Sequence, residues 1–251
     1  MPNLSIILPC YNESKNIPLI FQRFGETLAG RNDVEVVMVN NGSTDDSKDV
    51  FEKYLLIPEN AFAKLVVVDV NRGYGYGILM GLKAASSKTL AWTHADMQTD
   101  PNDVLLSYDL FQKQGNPDQC LVKGSRKGRN LVDAFFTWGM GAISSFALGV
   151  RLRDINAQPK LFCRSFFESL DDPPYDFSLD LYILYKAARR NMRILEQPVH
   201  FVRRLYGEAK GGGTMKGKIK LIWRTWSYIF TLRRRIASVN MNRKQKNDEG
   251  K

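Results

Sequence analysis

Residues 89–101 read Thr89-Leu90-Ala91-Trp92-Thr93-His94-Ala95-Asp96-Met97-Gln98-Thr99-Asp100-Pro101, a short apolar run that passes directly into a cluster of polar side chains. The run reads as a strand, which puts a carboxylate and an amide at the carboxyl edge of a sheet. Open α/β sheets bind their ligands at that edge. Asp96 and Gln98 stand two residues apart, so in extended backbone both side chains point to one face. One carboxylate, one amide oxygen and the His94 imidazole suit a hard or borderline divalent ion that also grips substrate phosphates. A short acidic loop closing a strand has the same composition, so the neighbouring segments decide between the two.

Upstream and downstream the chain alternates regularly. Strands are expected at Leu4–Leu8, Val34–Val39, Leu65–Val68, Leu90–Thr93 and Cys120–Lys123. Helical periodicity fills the gaps at Ser14–Leu28, Thr44–Tyr54, Tyr76–Ala85 and Asp103–Gln114. This βαβα succession predicts an α/β fold with a mainly parallel sheet and helices on both faces. The second half differs. Leu131–Val150 is almost wholly apolar and about long enough to span a bilayer, but Asp133 and several glycines and serines favour a buried or interfacial helix. Leu179–Arg190 reads as a helix and Arg193–Val199 as a strand.

The chain has 251 residues, enough for one full α/β domain with an appendage. Three cysteines, Cys10, Cys120 and Cys163, lack ligand-like spacing and even pairing, so they read as buried thiols in a reducing compartment. The start, Met1-Pro2-Asn3-Leu4-Ser5-Ile6, has no basic region followed by an apolar stretch, so no signal peptide is expected and the protein reads as cytosolic-side.

The net charge of +10 is lopsided, because Arg203–Lys246 holds thirteen Lys/Arg against the single acid Glu208 and the rest nets −2. A nearly neutral body with a basic tail suits an anionic surface. Within that tail, Lys216–Ser238 interleaves Ile219, Ile222, Trp223, Trp226, Ile229 and Phe230 with Lys and Arg. Interfacial helices have this make-up; so does a helix packing its apolar stripe on a core. Nucleic acid ranks last as a partner, since the basic tail lacks interleaved recognition motifs. Residues after Asn240 read as disordered.

Two further loops fall at strand ends. Pro9-Cys10-Tyr11-Asn12-Glu13 follows the first strand and Asn40-Asn41-Gly42-Ser43-Thr44-Asp45 the second, both at the expected crevice of a doubly wound sheet. Tyr11 could stack on a base, Glu13 could hold a ribose hydroxyl, and Asn41 carries the donor and acceptor that a base edge requires. Ser43 or Thr44 would cap the next helix. The run Gly73-Tyr74-Gly75-Tyr76-Gly77 follows the third strand rather than the first, so it reads as a tight turn and a close helix approach.

Taken together, SIILPCYNE, VNNGSTDDS, NRGYGYG, HADMQTDP and the Gly124-Ser125-Arg126 triplet resemble family 2 glycosyltransferases of the GT-A fold. The later stretch EQPVHFVRRLYGEAKGGG, Glu196–Gly213, resembles the branch that transfers sugars to dolichol and other polyprenyl phosphates. The resemblance runs from about Leu4 to Gly213. It implies a GT-A (Rossmann-like) domain at 1–213; the charge and residue pattern beyond it reads as a basic amphipathic membrane-associating helix at 214–240 and a disordered tail at 241–251.

The resemblance also implies site roles. Pro9, Tyr11, Glu13, Asn41 and Ser43, with Gly73, would hold the nucleoside of a sugar nucleotide. Asp96 and Gln98, with His94, would hold Mg²⁺ or Mn²⁺ against the diphosphate. Arg126, Arg204 and Lys210 would bind donor or acceptor phosphate. Three positions depart from the family pattern: Asn40-Asn41 replaces an aspartate pair, and His94 replaces the first acid of an aspartate triplet. Thr137-Trp138-Gly139-Met140 stands where the branch carries a helix arginine, which leaves Ser144 or Ser145 for the acceptor.

The expected activity is inverting transfer of a hexose from a nucleotide-diphosphate sugar to a polyprenyl phosphate, by an enzyme lying peripherally on the cytoplasmic face of a membrane. A polyprenyl phosphate brings an ionised oxygen and needs no general base. A hydroxyl acceptor on a lipid-linked or surface glycan would need a carboxylate, and Asp180 and Asp154 are the residues for that role. Either could instead cap a helix or pair with arginine. The third reading, suggested by His94 and Asn40-Asn41, is a nucleotide-sugar-binding protein without turnover.

Overall fold

A computed structural model describes residues 1–128, 131–201, 217 and 222–235. In chain order the elements are β1 (Leu4–Cys10), α1 (Ile17–Thr27), β2 (Val34–Asn41), α2 (Ser47–Leu55), β3 (Ala63–Val68), α3 (Tyr74–Ala84) and β4 (Thr89–Trp92). Then come α4 (Pro101–Gln112), β5 (Cys120–Lys127), α5 (Leu131–Leu148), β6 (Lys160–Cys163), α6 (Arg164–Glu168), α7 (Leu179–Arg189) and β7 (Arg193–His200). A last helix, α8, covers residues 222–235. The strands form one sheet of order β3-β2-β1-β4-β6-β5-β7. All pairs are parallel except β4–β6 and β5–β6, which are antiparallel.

The expected α/β architecture is thus present, with one strand that the sequence does not announce. β6 is the four residues Lys160-Leu161-Phe162-Cys163, inserted between β4 and β5. It opens on a lysine, which works against a core strand unless the charge is compensated. That charge is compensated, as shown below.

Alternation along β1 sends Leu4, Ile6 and Leu8 to one face, where Ile17, Ile20, Phe21 and Phe24 of α1 and Val104 and Phe111 of α4 cover them. Ile7 faces the other way, onto Ile78 and Leu82 of α3 and the Leu179–Ala187 face of α7. Ile229 and Leu232 of α8 join that second core, both nearly fully buried. The helix therefore does pack an apolar edge on the body, while Trp223 and Phe230 remain outside.

Three local expectations are corrected. The helix after β2 starts at Ser47, and its first amide is met by Asp45 Oδ1 (3.1 Å), not by Ser43 or Thr44. Ser43 Oγ instead accepts the Asn12 N–H (3.0 Å), and the Thr44 N–H donates to Asn12 Oδ1 (2.8 Å), so both tie the β2 loop to the β1 loop. The stretch after β4 is not extended. Met97 has φ +59°, and the Gln98 N–H donates to Asp96 Oδ1 at 3.1 Å, a turn closed by the aspartate itself.

The glycine run behaves as a close approach. Gly73 sits at φ +119°, and a Cβ on Gly75 would lie 2.6 Å from the Pro174 carbonyl oxygen and 2.7 Å from that of Asp176. Glycine here lets α3 press against the 174–176 segment, with the Tyr76 N–H donating to the Tyr175 carbonyl (2.9 Å).

Glu35 on β2 fastens the far end of the sheet. Its carboxylate accepts from Lys64 Nζ (2.8 Å), Ser5 Oγ (2.5 Å), and the N–H (2.6 Å) and Oγ (2.8 Å) of Ser86. Desolvation opposes ionisation, but these donors outweigh it and bring the carboxyl from 4.5 down to about 2. A folded value depressed in this way contributes stability that is complete above the unfolded value and lost as pH falls through the folded one. Thermal unfolding of the wild type should therefore drop between pH 4.5 and about 2, and Glu35→Gln should flatten the drop in that window. Superimposable pH profiles would contradict this role.

Candidate active site

Strand register brings the three polar loops side by side. β1 pairs with β2 so that Cys10 stands opposite Asn40, and with β4 so that Ile7 stands opposite Trp92. The Pro9–Glu13, Asn40–Ser43 and His94–Gln98 segments consequently emerge together at one carboxyl edge. Glu13 Oε2 accepts from Asn16 Nδ2 (2.5 Å), and Asp45 Oδ2 accepts the Ser14 N–H (3.2 Å), which fixes the β1 loop to the start of α2. Asn41 is almost fully buried. Its Nδ2 donates to the Gly73 carbonyl (3.0 Å), while its Oδ1 is a buried acceptor without a hydrogen bond among the described residues.

Asp96 is 7% exposed at the floor of this edge. Beside it, burial pushes the His94 imidazole below its ordinary value, with Asp96 and Asp180 opposing and Lys160 and Arg126 reinforcing the shift. Among the described residues no three His, Cys, Asp or Glu side chains converge as a metal cage. A single carboxylate with an amide and a neutral imidazole still fits an ion whose remaining ligands are substrate phosphate and water, the usual manner of Mg²⁺ and its like.

Arg126, near the end of β5, is held by Asp154. Its backbone N–H donates to Asp154 Oδ2 (2.8 Å), its Nε to Oδ1 (2.8 Å), and its Nη2 also meets Oδ1. Desolvation would raise the Asp154 carboxyl, but Arg126 outweighs it and holds the group below the usual carboxylate range. Asp180, in the first turn of α7, is 2% exposed and takes an ion pair from Lys160 Nζ and a hydrogen bond from Gln158 Nε2 (2.8 Å). Gln158 Nε2 also reaches the Tyr74 hydroxyl (3.2 Å).

Sequence reading does not mark Lys160 or Gln158. The signal was present as a lysine inside an apolar four-residue run, which needs a buried partner. Ser145 is occupied structurally, donating to the Gly141 carbonyl (2.6 Å) and accepting the Leu152 N–H (2.8 Å). Ser144 is fully buried, and its hydroxyl has no hydrogen bond among the described residues. Arg204, Lys210, most of the Glu196–Gly213 stretch, and the 241–251 tail lie outside the described residues.

The fold is shared with solved enzymes. Glucosyl-3-phosphoglycerate synthase from Mycobacterium tuberculosis, solved with Mn²⁺, uridine diphosphate and phosphoglyceric acid, superposes with a TM-score of 0.70 at 17% identity, over 92% of this chain and 78% of that one. The mannosyltransferase PcManGT from Pyrobaculum calidifontis, solved with GDP-mannose and Mn²⁺, gives 0.62 at 18% identity, over 91% and 70%. Both likenesses concern the fold.

Among curated relatives, the dolichyl-phosphate β-glucosyltransferase ALG5A of Trichomonas vaginalis is 28% identical over 214 residues, covering 79% of this chain. The chain spans 65% of that relative's length. The uncharacterized glycosyltransferase Rv0539 of Mycobacterium tuberculosis is 25% identical over 90% of this chain and 97% of its own length. Residues 5–171, well over half of the chain, match the sequence model of glycosyl transferase family 2, and the chain belongs to that family, with the GT-A fold.

Proposed function

We propose that this enzyme moves a hexose from a nucleotide-diphosphate sugar to a polyprenyl phosphate while lying on the cytoplasmic face of a membrane. The observation that carries the reading is α5. Its buried positions, Gly141, Ser144 and Leu148, form a narrow stripe of mostly small residues. Several of its large apolar side chains stand open: Leu131 is 88% exposed, Phe135 66%, Trp138 69% and Phe146 94%. Water-facing helices do not carry that many large apolar groups, whereas helices at a lipid interface do.

α8 packs beside α5, with Thr225 Oγ1 3.7 Å from Met140 Sδ, and adds exposed Trp223 and Phe230 near the exposed Arg233 and Arg234. Among the described residues no helix is long and apolar enough to cross a membrane. The 28% identical relative named as a dolichyl-phosphate glucosyltransferase points the same way.

A phosphate acceptor also suits the carboxylates. Asp154 is committed to Arg126, and Asp180 to Lys160 and Gln158, so neither is poised to take a proton from a hydroxyl. An ionised phosphate oxygen attacks without such a base. In this reading Pro9, Tyr11, Glu13, Ser43 and Gly73 frame the nucleoside. The unpartnered Asn41 Oδ1 accepts a base N–H.

Asp96 and Gln98, with His94, would hold Mg²⁺ or Mn²⁺, which would supply charge stabilisation for the departing diphosphate. Arg126, together with Arg204 and Lys210, neutralises phosphate oxygens, and Ser144 lies on the acceptor side. The competing hydroxyl acceptor requires one of the two paired aspartates to break its ion pair first.

Sedimentation with vesicles tests the membrane seat. The protein should pellet with vesicles containing anionic phosphatidylglycerol, and less so at high salt. Basic residues near such a surface contribute about 1 kcal/mol each. Phe135→Glu/Trp138→Glu places charge on exposed positions, so it should keep the fold and lose the pelleting. Donor sugar should leave the nucleotide only when the vesicles carry polyprenyl phosphate. Equal pelleting of the double variant, or turnover indifferent to the lipid phosphate, would contradict the proposal.

A further inference from the structure

Four rings from four separate segments line up through the site. Phe177, just before α7, stacks on Tyr74 with centroids 4.7 Å apart and planes at 9°. Tyr74, the first residue of α3, lies 6.3 Å from His94 at 30°. His94 meets Phe201, just past β7, edge-on at 6.1 Å. Each separation falls within the range where aromatic pairs attract beyond simple burial.

A guanidinium closes each end. Arg224 of α8 sits 5.2 Å over the Phe177 ring, and Arg126 of β5 sits 5.7 Å over Phe201. Cations over ring faces gain from the ring quadrupole, more so where water is partly excluded. The Tyr74 hydroxyl also receives the Gln158 amide, which itself holds Asp180. Tyr74 therefore belongs both to the column and to the buried ion-pair network.

His94 is two residues ahead of Asp96, which opens the turn that Met97 and Gln98 complete. The turn has a positive-φ residue, Met97, and gets little fixation from strand pairing, since β4 ends at Trp92. Side-chain contacts must therefore set its orientation.

We propose that Tyr74 and Phe177 are positioning residues: they clamp His94, and through it the Asp96 turn, and Arg224 makes that clamp depend on the seating of α8. The proposal rests on the reading of this turn as the donor-phosphate site. It adds that docking of the surface helix and orientation of the turn are one event. Binding that steadies α8 then steadies Asp96, and the coupling runs equally in the other direction.

Amide hydrogen exchange read by mass spectrometry tests this on the whole protein, alongside transfer kinetics. Phe177 is half-buried, so Phe177→Ala should fold. Exchange at residues 95–98 should rise about tenfold in that variant and about threefold in Arg224→Ala, with the β1–β3 amides unchanged. Phe177→Tyr, which keeps the ring, should match the wild type. The donor kcat/KM should fall in the same order.

A purely structural role for Phe177 would lower Tm and leave exchange at 95–98 at the wild-type rate, and that result would overturn the clamp. A rise in Phe177→Ala with none in Arg224→Ala would overturn the link to α8. If the wild type transferred no sugar at all, the glycosyltransferase reading would fail while the exchange measurement still decided the clamp.

Discussion

Asp96→Ala should abolish sugar transfer and leave the protein folded. The carboxylate lies at the sheet edge rather than within either apolar core, and it closes its turn by accepting the Gln98 N–H, 3.1 Å away. Losing one such bond costs about 1 kcal/mol of stability. The effect on rate is far larger, because Asp96 is the carboxylate of the 94–98 turn and would anchor the charge that offsets the leaving diphosphate. Removing a stabiliser of developing charge costs on the order of a thousandfold in turnover. Activity within a few-fold of wild type, at any Mn²⁺ or Mg²⁺ concentration, would sink the assignment.

The largest effect on stability should come from Lys160. Both members of its pair with Asp180 are buried, at 0% and 3% side-chain exposure. Burial pushes the lysine below its ordinary value, and the neighbouring Asp180 opposes that shift. Lys160→Met leaves the Asp180 charge in the core with the Gln158 amide, and breaking such a pair from one side costs about 3–5 kcal/mol. Lys160→Met/Asp180→Leu removes both charges, so it should recover most of the loss. Urea unfolding reads both. A cost below about 1 kcal/mol for the single variant, or no recovery in the double, would show that the pair is not what holds β6 in the sheet.

The residues that announced the fold were those whose pattern is local. Leu4–Leu8 and Val34–Val39 are apolar on both faces apart from Ser5 and Glu35, because helices cover both, and proline or asparagine follows where the loop begins. β6 could not be read in the same way. It has four residues, begins with Lys160, and is a strand only because Asp180, twenty residues later, neutralises that lysine.

The polar loops were legible as a group and misread in detail. The Asp96–Gln98 spacing implied an extended edge, but an aspartate accepting the second N–H beyond it forms a turn instead. Asp45 outcompeted Ser43 and Thr44 for the α2 terminus because Asn12 had taken both of them. The basic amphipathic stretch carried two readings, and the described part of it shows the core-packing one through buried Ile229 and Leu232, while Trp223 and Phe230 stay outside. The ring column was beyond any local pattern, since its members come from residues 74, 94, 177 and 201.

The bond that the enzyme makes decides between the acceptors. A panel of sugar nucleotides should be offered to the enzyme with Mn²⁺ and undecaprenyl phosphate in anionic vesicles, and the lipid products weighed by mass spectrometry. The expected product is a lipid heavier by one hexose residue, linked through phosphate, absent in Asp96→Ala and absent when undecaprenol replaces its phosphate. Transfer to undecaprenol or to a glycan hydroxyl at the same rate, or nucleotide-sugar binding with no product from any donor, would contradict it.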